Sequence, residues 1–337
     1  MDPLTQGIVG TTAAQTVTKH NNFFLGSLVG FLAGMAPDLD VLIRSQNNPL
    51  LFLEFHRHFT HSIIFIPVGA LLCSVIFYFL FTKKFGMSFK LTFIFSLIGY
   101  STHGLLDSLT SYGTQLYWPF TNERVALNLV SVIDPLFTVP IIIFASLAMY
   151  KKSKQYTGYA LVWILIYQLV SYVQKERAED YIYEHALRSG HEVQSVVAKP
   201  SFGNIIVWKV IYSTQNMYHV NAIRLGLTPE LYLGQPISKL NISQDFPWLD
   251  STSQQAKDLE KFRWFSNGYL ALDKDDQNIV YDIRFSSLPN ETEGLWGIKL
   301  NRDKKLDEHI EYITNRRNDS KRYQDLINMI FNKYDNK

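Results

Sequence analysis

Residues 62–82 read SIIFIPVGALLCSVIFYFLFT, an uncharged run of 21 residues, and this run decides the fold class. A second uncharged run of 20 residues, QYTGYALVWILIYQLVSYVQ, covers positions 155–174. A helix of about 20 apolar residues crosses the roughly 30 Å hydrocarbon core of a bilayer. Both runs therefore predict membrane-spanning helices.

Weaker apolar stretches accompany these two runs. Residues 91–106 and 135–150 are shorter, and each is extended by a segment that carries polar groups. Residues 3–18 and 21–37 are uncharged and rich in Gly, Ala and Thr, which suits close helix packing in a membrane. They predict either two full spans or a re-entrant hairpin. We expect a polytopic helical membrane domain of four to six segments over residues 1–174.

The second half of the chain has the composition of a soluble domain. The 337 residues are 47% hydrophobic and 18% charged, and the charges concentrate after Gln174. Helical patterns cover about 177–187, 253–262 and 321–333, between runs rich in Val, Ile and Tyr that predict strands. The predicted strands cover 193–198, 204–212, 218–224, 268–272, 279–285 and 295–300. The fold class is thus mostly α, with a small α+β soluble domain at 175–337.

Composition also narrows the partners. The formal net charge is +2 with both signs interspersed, so no basic stripe indicates nucleic acid. The single cysteine, Cys73, lies inside an apolar run and excludes both a disulfide framework and a cysteine-based metal site. The partner that the sequence indicates is the lipid bilayer.

Lysine and arginine in the short loops predict an orientation. If all six segments cross, one set of loops holds seven lysines (19, 83, 84, 90, 151, 152 and 154) and the other holds Arg44, Arg57 and Arg124. Basic loops stay in the cytoplasm. We therefore expect a multi-pass protein of a bacterial cytoplasmic (inner) membrane, with the soluble domain on the outer side.

Histidines and aspartates gather at the ends of the predicted spans. His56, His58 and His61 precede the 62–82 span, and His103 and Asp107 lie four apart, so they share one face of a helix. Asp38, Asp40 and Asp134 also lie at span ends. The topology derived from lysines places all of these groups at one end of the bundle. Ionisable groups at membrane depth usually pair or serve function, and a divalent ion would satisfy them together.

Structural roles remain open for the same residues. His56, Arg57 and His58 could be interfacial polar residues, and Asp38 with Asp40 could anchor a span at the headgroups. Asp134 before Pro135 is also typical of a helix N-cap. The set His61, His103 and Asp107 could form a hydrogen-bond network without metal.

Several short motifs resemble the YdjM-like family of bacterial membrane-bound, predicted metal-dependent hydrolases, one branch of which is LexA-regulated. The motifs are MDPLTQ at 1–6, PDLD at 37–40, HR at 56–57 with THS at 60–62, THGLLD at 102–107, TSYG at 110–113 and WPF at 118–120. This resemblance covers roughly residues 1–150. The family is distantly similar to zinc-dependent phospholipase C, a helical fold that binds a zinc cluster through His and Asp.

Carried over residue by residue, the resemblance implies metal ligation by Asp38, His61, His103 and Asp107, with His56 and Asp40 next. Gln6 stands where other branches have a histidine, which implies a smaller site of one or two ions. The expected cofactor is a divalent metal, zinc first, with manganese and iron as alternatives.

The sequence therefore predicts a membrane-bound metal-dependent hydrolase. Asp38 or Asp40 would orient a metal-activated water or accept its proton, and a phospholipid or another lipid-linked phosphoester is the expected substrate class. The alternative is a non-enzymatic membrane binding or regulatory protein with a structural His/Asp metal site. Transport is a third hypothesis, but the clustering of the ionisable groups at one end argues against a relay of protons or ions across the bilayer.

Overall fold

The computed structural model describes residues 1–315 and 320–334, which form two compact units. The membrane unit comprises Met1–Ile43, Phe55–Tyr172 and Phe202–Asn204. The C-terminal unit comprises Arg44–Glu54, Val173–Ser201 and Ile205–Lys337. The sequence predicts one domain boundary, after residue 174. In the structure, segment 44–54 belongs to the C-terminal unit and segment 202–204 belongs to the membrane unit.

Helices dominate the first unit. The α-helices of the chain are α1 (Pro3–Val17), α2 (Phe23–Met35), α3 (Leu51–Phe55), α4 (Ile66–Phe77), α5 (Phe89–Ser108), α6 (Pro135–Lys151), α7 (Lys154–Arg188), α8 (Ile242–Asp245), α9 (Gln254–Phe265) and α10 (Ser320–Ile330). Short tight turns extend α2 over Ala36–Leu42 and precede α4 at Phe59–His61 and Ile63–Phe65, and a π-turn at Tyr78–Thr82 extends α4.

Within the described residues, three helical segments are long and apolar enough to cross a membrane: His20–Leu42, Ile63–Thr82 and Lys154–Arg188. A shorter apolar helix covers Pro135–Lys151. The two apolar runs that decide the fold class are thus both helical. The expected number of crossings, four to six, stays a prediction beyond these three.

Helix α7 differs from its prediction. The sequence predicts a span at 155–174 and a separate helix at 177–187, whereas one continuous helix of 35 residues covers both. At 1.5 Å per residue such a helix is roughly 50 Å long, more than a bilayer core requires. Its C-terminal part therefore continues past the apolar run into the C-terminal unit.

The C-terminal unit contains two antiparallel sheets, whereas the sequence predicts an α+β domain with one mostly antiparallel sheet. The strands are β1 (Ser195–Pro200), β2 (Val207–Ser213), β3 (Met217–Leu225), β4 (Pro229–Tyr232), β5 (Pro236–Ser238), β6 (Leu270–Leu272), β7 (Ile279–Asp282), β8 (Trp296–Lys299) and β9 (Glu311–Thr314). The first sheet has the order β1-β2-β3-β4, with β5 also paired to β3, and the second has the order β6-β7-β8-β9. The sequence does not predict strands β4, β5 and β9. Strands β4 and β5 each begin with a proline, which disfavours a strand prediction.

Small residues bring α1, α2 and α5 into close contact in the membrane unit. A Cβ atom at Gly99 on α5 would lie 2.5 Å from the carbonyl oxygen of Gly30 on α2 and 2.9 Å from its Cα. A Cβ atom at Gly30 would lie 2.5 Å from the Cβ of Ala14 on α1. Close backbone approach of this kind drives helix association in lipid, where dispersion replaces the hydrophobic effect.

Polar side chains also tie these helices together. The Gln15 amide of α1 donates to the Ser27 hydroxyl oxygen on α2 and to the Ala145 carbonyl on α6, each at 3.1 Å. The Thr157 hydroxyl of α7 donates to the Gln15 Oε1 at 3.2 Å. The glutamine is fully buried, and its bonds satisfy groups that hydrocarbon would leave unpaired.

We predict that Gly99→Ala destabilises the membrane unit by about 1–3 kcal/mol, because the added methyl forces two helix backbones apart. The matched control is Gly158→Ala on α7, where a Cβ would meet nothing within 4 Å. The measurement is thermal unfolding of both purified variants in detergent. Equal melting temperatures for the two variants would contradict the close packing.

Candidate metal centre

Five candidate ligands come from three places in the membrane unit. Asp38 and Asp40 lie in the tight turn Ala36–Leu42 at the end of α2, which Pro37 begins. His61 ends the turn Phe59–His61, and His103 with Asp107 projects from the last turns of α5. These side chains meet in the structure, as the spacing and the resemblance predict.

The inner group consists of Asp38, His61, His103 and Asp107, with one potential ligand atom of each within 4.8 Å of all the others. The two imidazole Nε2 atoms, of His61 and His103, are 2.9 Å apart. Asp38 Oδ1 lies 3.5 Å from the first and 3.4 Å from the second, and Asp107 Oδ2 lies 3.2 Å from the first. Two nitrogen and two oxygen donors facing one point suit a tetrahedral divalent ion.

The contacts of the two Nδ1 atoms, of His61 and His103, indicate which ring nitrogens carry a hydrogen and which present a lone pair to the inner group. His103 Nδ1 lies 2.5 Å from the Gly34 carbonyl oxygen, which can only accept, so this nitrogen carries the hydrogen. His61 Nδ1 lies 3.2 Å from Asp40 Oδ2. In neutral rings held this way, both Nε2 atoms present lone pairs to each other, and a cation between them removes the repulsion.

The charge of the group favours a cation as well. Burial lowers the pKa of His61, but the carboxylates of Asp107, Asp38 and Asp40 raise that pKa by more, to about 10. A proton therefore occupies the His61 ring in the absence of another cation. A metal ion would compete with that proton, so metal affinity is expected to rise with pH.

Asp107 is the most heavily contacted carboxylate. Its Oδ1 accepts from the Met1 α-amino group and, at 2.8 Å, from the Gln6 amide, while its Oδ2 lies 3.0 Å from Arg57 Nε. Gln6 therefore reaches the centre, as the family pattern at position 6 implies, but it meets Asp107 with its amide nitrogen. The Gln6 Oε1 is buried and, among the described residues, accepts no hydrogen bond.

The outer group consists of Asp38, Asp40 and His56. Asp40 Oδ1 lies 2.8 Å from His56 Nδ1, and the His56 side chain is 23% exposed. Asp40 Oδ2 accepts from the Arg57 backbone N–H and the Thr60 hydroxyl, each at 2.9 Å. Asp40 thus stands between two imidazoles and orients the buried one, a role that carboxylates often play behind metal-bound histidine.

The sequence leaves an interfacial role open for Arg57, and the structure places this residue beside the inner group. It is 3% exposed and has a positive φ of 64°, a conformation that costs a non-glycine residue energy. Its guanidinium donates to Thr110 Oγ1 at 2.8 Å and lies 4.7 Å from the ring centre of Tyr112. The sequence signal for this placement is that Arg57 lies among three histidines, His56, His58 and His61.

A glycine permits the approach of the loop to α5. A Cβ atom at Gly104 would overlap with the carbonyl oxygen of His61. The glycine lies between His103 and Asp107, so it allows the His61 backbone to reach the turn that carries both ligands. The string THGLLD therefore supplies two candidate ligands, His103 and Asp107, and also the small residue that lets the His61 loop approach α5.

The structure leaves two sequence candidates outside both groups. His58 packs its ring against Trp118, with 5.2 Å between centroids. Asp134 is the N-cap of α6, where its Oδ1 accepts from the Phe137 backbone N–H at 3.3 Å and its Oδ2 accepts from the Tyr167 hydroxyl at 2.6 Å. These contacts support the role of Asp134 as a helix N-cap.

We predict that His61→Ala and Asp107→Asn each abolish stoichiometric metal binding, because each removes one donor of the inner group. His58→Ala is the matched control, since it changes the same residue type three positions away. The measurement is metal content of the detergent-purified proteins by mass spectrometry after exposure to zinc or manganese. Wild-type protein that binds neither ion, or variants that bind as much as wild type, would contradict the site.

Comparisons with known proteins show the family of this chain. Residues 1–178 match the family described as YdjM inner membrane protein, which confirms the resemblance seen in the sequence motifs. The chain is 26% identical to the uncharacterized protein YfhP of Bacillus subtilis over 57% of each chain. It is 33% identical to the inner membrane protein YbcI of Escherichia coli over 28% of this chain and 54% of that one.

The chain spans little more than half the length of these two curated relatives, 57% and 54%. No solved structure matches it. The family match covers more than half of the 337 residues and includes every candidate ligand. With its apolar helices, this chain is an integral membrane protein that belongs to the YdjM inner membrane protein family.

Proposed function

We propose that this protein is a membrane-bound metal-dependent hydrolase. The observation that carries the proposal is the pair of opposed Nε2 atoms of His61 and His103, 2.9 Å apart, with two carboxylates directed at the same point. When bound there, a divalent ion such as zinc would supply Lewis acidity and lower the pKa of a coordinated water to near neutrality. Manganese and iron are compatible with the same donors.

The residues around the ion divide the remaining work. Asp38 is the exposed member of the inner group: its side chain is 16% exposed, whereas those of His61, His103 and Asp107 are fully buried. Water and substrate therefore reach the centre at Asp38, which is placed to orient the attacking water and accept its proton. Asp40 acts as a positioning residue, since it holds His61 through Nδ1.

The proposed substrate is a phosphoester, with a phospholipid or another lipid-linked molecule as the source. The ligands lie at the ends of apolar helices, at Asp38 in the segment His20–Leu42 and at His61 just before Ile63–Thr82. Groups at a span end lie at headgroup depth, where lipid phosphates are found. Arg57 and Arg124 flank Tyr112 beside the site, at 4.7 and 5.4 Å from its ring centre, and add positive charge.

A structural metal site is the second candidate function. Three of the four inner ligands are fully buried, and closed coordination is typical of metals that stabilise a fold. In that case the protein would be a binding or regulatory membrane protein. The two functions differ in what metal removal does.

We predict that wild-type protein loaded with zinc or manganese hydrolyses a phosphodiester such as bis(p-nitrophenyl) phosphate or a short-chain phospholipid in detergent. Asp38→Asn should lower the rate by about 100-fold or more, since it removes the water-activating carboxylate and also one donor of the inner group. His58→Ala should keep the wild-type rate. Product release is measured with chelated protein as the blank.

Chelation separates the two functions. For the hydrolase, chelated protein keeps its melting temperature within a few degrees and regains activity when the ion is returned. Loss of the folded state on chelation, together with no hydrolysis by the loaded protein, would support the structural site and contradict the enzyme.

We also propose that the C-terminal unit lies on the outer side of the membrane, from the seven lysines of the opposite loops. A phosphatase fusion after Asp180 should be active in a bacterial host, and a fluorescent fusion at the same position should be dark. A bright fluorescent fusion there would place the unit in the cytoplasm and contradict the orientation.

A further inference from the structure

The end of the apolar run in α7 marks a membrane boundary. The run from Gln155 is uncharged up to Gln174, and the next three residues are Lys175, Glu176 and Arg177. Since α7 is continuous from Lys154 to Arg188, its axis carries this boundary into the C-terminal unit, which begins at Val173. The turn 174–177 therefore lies where hydrocarbon gives way to headgroups.

A hairpin tip of the first sheet is bonded to that turn. The Gln174 amide donates to the Leu225 carbonyl at 3.2 Å, and the Arg177 guanidinium donates to the Gly226 carbonyl at 3.0 Å. The same guanidinium donates to Gln174 Oε1 at 2.7 Å. Leu225 ends β3 and Pro229 begins β4, so residues 226–228 form the tip. The tip is thus bonded to the last uncharged residue of the run, Gln174, and to Arg177, which lies within the next helical turn.

The tip carries an apolar side chain with no cover from the described residues. Leu227 has a relative exposure of 103%, the highest among the exposed large hydrophobic residues. A single exposed leucine is ordinary on a soluble surface. Its place beside a membrane boundary is what distinguishes this one, because an apolar side chain there gains by entering the zone between headgroups and acyl chains.

Two arginines lie next to the tip, and Glu230 lies across the hairpin from one of them, Arg224. Arg177 reaches Gly226 directly, and a Cβ atom at Gly226 would lie 2.9 Å from Arg224 Nη1. Two guanidinium groups around one leucine suit a surface of anionic lipid headgroups, which contribute about 1 kcal/mol for each basic residue near them.

We propose that the β3–β4 tip is an interfacial anchor whose partner is the lipid headgroup layer. Leu227 enters the boundary between headgroups and acyl chains, and Arg177 and Arg224 meet lipid phosphates. The anchor fixes the first sheet at the bilayer surface in addition to the covalent link through α7. This inference does not depend on the hydrolase proposal.

The test places one fluorescent label on the tip of the full-length protein. In a Cys73→Ala background, Leu227→Cys is labelled with a polarity-sensitive nitrobenzoxadiazole dye, and Asn216→Cys serves as the matched position. Asn216 is exposed and precedes β3 at its other end, about 30 Å along the strand. Both proteins are placed in nanodiscs of phosphatidylethanolamine and phosphatidylglycerol, with and without lipids that carry a nitroxide on the acyl chain.

Nitroxide lipids should quench the label at position 227 at least about twofold more than the label at 216, and its emission should shift to the blue, as burial in an interface requires. Soluble iodide should quench the two labels in the reverse order. Absence of lipid quenching at 227, or iodide quenching as strong as at 216, would overturn the proposal. Equal melting temperatures of the labelled and unlabelled proteins show that the fold is retained.

Discussion

Two imidazole Nε2 atoms only 2.9 Å apart, buried where apolar helices end, are the constraint on which this structure depends. The Gly34 carbonyl oxygen, 2.5 Å from His103 Nδ1, can only accept, so His103 carries its hydrogen on Nδ1 and turns the Nε2 lone pair toward His61. A proton or a metal ion must sit between them. The carboxylates of Asp38 and Asp107 add negative charge at the same point, which favours a cation there.

Close packing of the helices holds the candidate ligands in place. Close contact at Gly30 and Gly99 brings α2 and α5 together, so the Asp38 turn reaches His103. Gly104 then admits the His61 loop against α5. Because each contact is backbone against backbone, the ligand positions are set by rigid helices and not by long side chains. A metal site gains affinity when its donors are held in place before the ion arrives.

Asp40 and Arg57 show how the inner ligands are supported. One Asp40 oxygen faces the buried His61 and the other faces the partly exposed His56, so a single carboxylate connects the closed centre to its entrance. Arg57 Nε lies 3.0 Å from Asp107 Oδ2, and its positive charge offsets the negative charge of the carboxylate. Substitution of such neighbours of a metal ligand typically costs about 10–100-fold in metal affinity or activity. The strained φ of Arg57 is consistent with this demand.

The sequence by itself determined the elements that depend on local chemistry. Uncharged runs of 21 and 20 residues have few alternatives to helices in a membrane, and a spacing of four places His103 and Asp107 on one helix face whatever surrounds them. Motifs predicted the family and four inner ligands. Only the tertiary structure decided that α7 runs unbroken into the second unit, that Asp40 lies behind His61, and that Arg57 and Gln6 reach Asp107. Those contacts join residues 21 to 101 positions apart, and no local pattern encodes a distance between segments that meet only when the helices pack.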